Sequence, residues 1–181
     1  MNATDLLQEL EKITLNNISE VEVYQKLPLT KLNWKSDSTS WSILECIEHL
    51  NLYGDFYLPE IENQLSSSES TFENNFRPGL IGNYFAKLML PRQPLNKMKT
   101  LKDKNPSGSA LEHNCLEKFL IQQHELLKIL DLAKHKSLNK IKTSISISKW
   151  LKLKLGDTLR VVIYHNYRHV LQANNTLKSS I

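Results

Sequence analysis

Cysteine, glycine and long apolar runs are all scarce in this chain. Only Cys46 and Cys115 are present, far apart and in no CxxC pair. That excludes a disulfide framework and a cysteine-based zinc module. Five glycines in 181 residues argue against a Gly-rich phosphate-binding fold. No apolar run is long enough to cross a bilayer, so no membrane span is expected. The opening Met1-Asn2-Ala3-Thr4-Asp5 lacks the basic and apolar regions of a secretory signal, and the expected location is cytoplasmic. Neither sign of charge dominates, since 23 Lys and Arg face 19 Asp and Glu for a formal +4. So mild an excess permits nucleic-acid or anionic-surface binding without arguing for it.

What is present is globular. Hydrophobic residues make up 40% and charged residues 23%, which excludes a wholly disordered chain. The length predicts one domain over residues 1–181.

Four segments carry helical periodicity. In the first, about 4 to 27, Leu6, Leu10, Ile13, Val21 and Tyr24 recur in steps of three and four, and Pro28 stops the pattern. The second opens with a capping box, Ser42-Ile43-Leu44-Glu45, after Trp41 as a hydrophobic staple against Cys46. Its apolar stripe reaches Leu65, with a kink or break expected at Pro59. Residues 66–108 form a long irregular connection, broken by Pro78, Gly79, Gly82, Pro91, Pro94 and Pro106, with a short helix near 83–90. Such length has a topological reason in a bundle whose consecutive helices run parallel. Another capping-box pattern, Ser109 to Glu112, predicts the start of the third segment, which ends near 134–136. Residues 137–155 alternate like a strand in two places, but without an evident partner they predict an extended loop and a short helix. Asp157 then caps a last helix running to about 177. The architecture expected is all-α, a four-helix bundle with no sheet.

His165 and His169 are one turn apart on the last helix and point from one face. Two imidazoles so placed can ligate one ion, although the H-x-x-x-H spacing alone is weakly specific. A zincin protease places Glu after the first His, and here that residue is Asn166. The pair overlaps the apolar stripe of Val162 and Ala173, where two histidines are harder to satisfy than one. His49 on the second helix shares a face with Cys46, Leu50 and Tyr53 and also leans inward. Two His from one helix and one from another would leave coordination positions open, as in a catalytic metal site. His113 and His124 have inward-leaning phase too and stay candidates at this point. His135, between Lys134 and Lys136, fits a solvated helix end.

The stretch Trp41-Ser42-Ile43-Leu44-Glu45-Cys46-Ile47-Glu48-His49-Leu50 resembles the motif opening the second helix of DinB-like proteins. Leu155-Gly156-Asp157 and Tyr164-His165-Asn166-Tyr167-Arg168-His169-Val170-Leu171-Gln172 resemble their last-helix motif. The resemblance implies an up-down-down-up four-helix bundle with a long crossover between the second and third helices. It implies a divalent metal held by His49, His165 and His169, with zinc or nickel foremost and iron or manganese next. It further implies a thiol-S-transferase using a low-molecular-weight thiol, or a hydrolase, acting on a small-molecule substrate, with a homodimer as a frequent assembly. Asn166 stands where an acidic residue is common in that family, so no general base is assigned. Glu45, Glu48, Tyr53, Arg168 and Gln172 lie within about a turn of a ligand and are candidates to orient an imidazole or bind substrate.

Two other readings compete. One is a non-enzymatic interaction or dimerisation module with a structural or vestigial metal. The other is nucleic-acid or membrane-surface binding through Arg92, Lys97, Lys99, Lys102 and Lys104, or through the basic segment from Lys149 to Lys154. A solvated face explains those basic residues better, and neither nucleic acid nor membrane is expected as a partner.

Overall fold

The computed structural model describes residues 1–91, 95 and 100–180. Helix α1 spans Ala3–Tyr24, and its first turn is capped by Asn2, whose Oδ1 accepts from the Thr4 and Asp5 amides. A short turn of helix, α2, follows Pro28 at Leu29–Leu32. Helix α3 spans Ile43–Ser66 and has the expected capping box. The Glu45 amide donates to Ser42 Oγ (3.1 Å) and the Ser42 amide to Glu45 Oε2 (2.9 Å).

Of the kink or break expected at Pro59, the break does not occur, because α3 continues to Ser66. Pro59 and Asp55 are both exposed, so the carbonyl that loses its helical partner sits on the solvent side, where water can satisfy it. The crossover carries α4 at Leu80–Met89 and a 3-10 turn at Lys102–Lys104. Helix α5 spans Asn114–Ala133 and starts later than the Ser109 pattern predicts. Ser109 closes a turn onto Pro106, and the Leu111 carbonyl accepts from Asn33 Nδ2, so these residues are held outside the helix.

The loop expected after α5 is instead a hairpin. Strands β1 (Lys142–Ile145) and β2 (Ser148–Lys154) pair antiparallel, with an irregularity between Ser144 and Ile145. The alternating run 144–148 spans the turn itself, so β1 starts before it and pairs Lys142, Thr143 and Ser144 with Lys154, Leu153 and Lys152, while Ile145 and Leu153 turn inward. Helix α6 begins directly at Leu155 and runs to Ser179. Asp157 lies inside its first turn rather than capping it, and accepts from the Gly79 amide (2.7 Å) and from Arg160. This fastens the start of α4 onto α6.

Cross-helix contacts fix the topology. Asn51 bonds the Cys115 carbonyl, and Asp55 bonds Lys118 and Gln122, so α3 and α5 run parallel. Glu9 meets Tyr164 and Tyr24 meets Asn174, so α1 and α6 are also parallel. Trp41 reaches Thr176 while His49 reaches His165, which makes α3 and α6 antiparallel. The order is up-down-down-up, and the crossover must travel back along the bundle before α5 can start.

Two apolar clusters fill the interior. One gathers Leu10, Ile61, Leu130 and Leu159 with their neighbours, the other Tyr24, Ile47, Phe119 and Val170. Along the chain a band of buried polar side chains falls between them, with Thr14 and Asn17 on α1, Asn51 on α3, Gln122 and Gln123 on α5, and Asn166 on α6. Among the described residues, no helix is long and apolar enough to cross a membrane.

Candidate metal centre

The three candidate histidines meet on the seam between α3 and α6. Ring centroids are 5.0 Å apart for His49–His165, 4.6 Å for His49–His169 and 4.8 Å for His165–His169. His49 Nε2 faces His165 Nε2 at 3.2 Å. Two nitrogens bound to one zinc-like ion at tetrahedral angles lie about 3.3 Å apart. The ligand atoms of all three rings fall within 4.8 Å of one another. The 3.2 Å pair has the spacing of two nitrogens on one ion, and the third ring is near enough to make the group a candidate metal site.

Second partners set which nitrogen is offered. His49 Nδ1 lies 2.7 Å from the Lys104 carbonyl oxygen. A carbonyl only accepts, so Nδ1 carries the proton and Nε2 keeps its lone pair. His169 Nδ1 lies 3.0 Å from Gln172 Oε1, which assigns the same tautomer. Both bonds are of the kind that orients a metal-bound imidazole.

Burial also favours the neutral, ligating form. It pushes His49 down to about 4, with the Lys104 charge adding to the effect and the backbone bond opposing it. His165 falls well below the ordinary histidine value through burial and then the neighbouring His169, His49 and Arg168. His169 falls too, through burial and then His49 and Arg168.

The cluster forms part of the wall of a cavity of about 780 Å3. Trp41 lies 4.8 Å from the His49 ring and 5.6 Å from the His169 ring. Its indole is held by a bond from Nε1 to Ser107 Oγ (2.9 Å). The Tyr53 ring is T-shaped to those of His49 and His165, at 5.0 and 4.8 Å. Arg168 is buried and contributes to the same cavity, whose remaining walls are rich in hydroxyl side chains, Ser36, Thr39, Ser40 and Thr176 among them.

The other candidates separate cleanly. Gln172 orients His169, and Tyr53 packs beside the cluster. Glu45 serves the helix cap and also accepts from Lys35 and the Gly108 amide. Glu48 accepts from Asn51. His113 bonds the Leu27 carbonyl, away from the cluster. His124 is exposed, contrary to its expected inward phase, and His135 is exposed as a helix end should be. Of the basic residues, Arg92, Lys97 and Lys99 lie outside the described residues, while Lys104 is tied to the Leu52 carbonyl. Sequence reasoning missed the Lys104 carbonyl and the wall made by Trp41. A backbone acceptor delivered from the crossover leaves no side-chain signature, whereas Trp41 is legible in the sequence only as a staple against Cys46.

Fold and site together define a class: an up-down-down-up helical bundle with a three-histidine cluster between its antiparallel α3 and α6. Residues 21–173 match the family model of the DinB superfamily, and the chain belongs to that superfamily. No curated protein and no solved structure matches it.

Proposed function

We propose that the chain is a divalent-metal-dependent enzyme acting on a small molecule, a thiol-S-transferase or a hydrolase, with the ion held by His49, His165 and His169. The observation that carries this reading is the place of the three imidazoles in the wall of the large cavity. A closed structural site takes four protein ligands, whereas three facing a cavity leave a position for water or substrate. The residues fit such an ion, being all-nitrogen, neutral and oriented by Lys104 and Gln172. An all-imidazole donor set suits zinc, nickel, iron and copper alike, and zinc or nickel is the proposed ion. When bound, such an ion supplies Lewis acidity and lowers the pKa of a coordinated water or thiol toward neutrality.

The chain's own residues hold and shield that centre. Trp41 and Tyr53 cover the flanks of the imidazoles, and Arg168 brings a guanidinium to the cavity wall. A low-molecular-weight thiol is the proposed co-substrate. Asn166 turns to Gln123 of α5, and no general base is assigned.

Elemental analysis of protein purified without chelators, beside a His165→Ala/His169→Ala variant, tests this. Near-stoichiometric metal is expected in the parent and none in the folded variant. Parent protein that is metal-free and refuses added zinc, nickel and manganese would end the proposal.

A further inference from the structure

A second cavity, of about 110 Å3, lies beside His165. It shares Tyr53, Met89 and His165 with the large cavity, so the two meet at the candidate centre. Its character is opposite. Ile145 and Leu153 of the hairpin, Val162 of α6 and Phe85 of α4 line it. Ile145, Leu153 and Val162 are buried, and Ile147, at the hairpin turn, is 54% exposed and marks the rim.

Several polar groups along the slot are engaged with one another or with α5. The Ser146 amide donates to Tyr57 Oη (3.2 Å), which also lies 3.3 Å from Ser146 Oγ. Asn166 Nδ2 donates to Gln123 Oε1 (3.3 Å). A polar group entering this slot would give up water for few new hydrogen bonds, while an alkyl group gains contact on several sides.

We propose that the slot is a subsite for a small alkyl group of the substrate, placed next to the reacting bond, with the polar remainder in the large cavity. The nearness to the reacting bond rests on the metal reading above. The preference for an alkyl group does not. At roughly 30 Å3 per water-sized atom, the slot takes about four carbons.

The test uses chelator-treated protein, straight-chain 1-alkanols from ethanol to hexanol, and methyl NMR signals of Ile145, Leu153 and Val162. Affinity is expected to rise about fourfold per methylene up to about butanol and then to level off. Ile147→Trp, at the rim, should weaken every alkanol. Phe85→Ala, which enlarges the slot, should move the optimum to longer chains. Binding without chain-length dependence, or untouched by both substitutions, overturns the proposal. Because the readout needs no metal, the two readings fail separately. Alkanol binding as described in a protein that takes up no metal leaves the slot standing and ends the metal reading. A flat titration in a protein that does load metal does the reverse.

Discussion

At the scale of single residues, the cluster depends on groups that are not ligands. Gln172 fixes the His169 tautomer through one 3.0 Å bond. Replacing it with Ala frees the ring to rotate and to offer the wrong nitrogen. Gln172→Ala is expected to lower metal affinity by about 10–100-fold while leaving the helical signal unchanged. Gln172→Glu keeps an acceptor at that position and should recover most of the loss. Competition titration against a chelator of known affinity measures both. Equal affinity in the parent and the Ala variant would show that the bond orients nothing. His49 has a different support, because its acceptor is the backbone of Lys104 and no side-chain substitution removes it directly. The histidines themselves were legible in the sequence, as two motif stretches with inward phase. Their orienting partners were half legible, since Gln172 lies one turn from His169 and the Lys104 carbonyl is 55 residues from His49.

At the scale of elements, α4 seats on α6 through a close approach at Gly82. A Cβ there would lie 2.5 Å from the Asp157 side chain, which is itself buried and bonded. Gly82→Ala is therefore expected to destabilise the protein by about 1–3 kcal/mol, read from denaturant melts. A gain in stability would mean that α4 can lift from α6 at little cost. The same scale shows what local patterns convey. The capping box of α3 was legible because all of its partners lie within four residues. The Ser109 pattern looked the same and formed no cap, because Asn33, from elsewhere in the chain, engages Leu111. The hairpin was missed for a related reason. The first alternating run spans the turn at Ser146 and Ile147, and two of the residues that pair with the second run, Lys142 and Thr143, lie before the alternation. The length of the crossover, by contrast, followed from topology alone.

At the scale of the molecule, histidine burial couples the site to stability. An unfolded His49 titrates near its ordinary value of 6.5, and the folded one near 4. Between these values the unfolded chain binds more protons, so stability rises with pH. It is full above about 6.5 and falls as pH drops toward 4, by about 3 kcal/mol from His49 alone. His165 and His169 shift in the same direction. Urea melts of metal-free protein from pH 7.5 to 4.5 check this, and a midpoint that does not move would contradict it.

Facing helices with uniform apolar stripes can slip past one another by one turn, about 5.4 Å. The band of buried amides opposes such slippage here. A displaced Asn51 would lose its bond to the Cys115 carbonyl, and a displaced Asn166 its bond to Gln123, each ending against apolar neighbours. His49 and His165 are 116 residues apart in the chain and belong to different helices. Their nitrogens stay within reach only while α3 and α6 keep one longitudinal setting, and the amide band acts as the index mark for it.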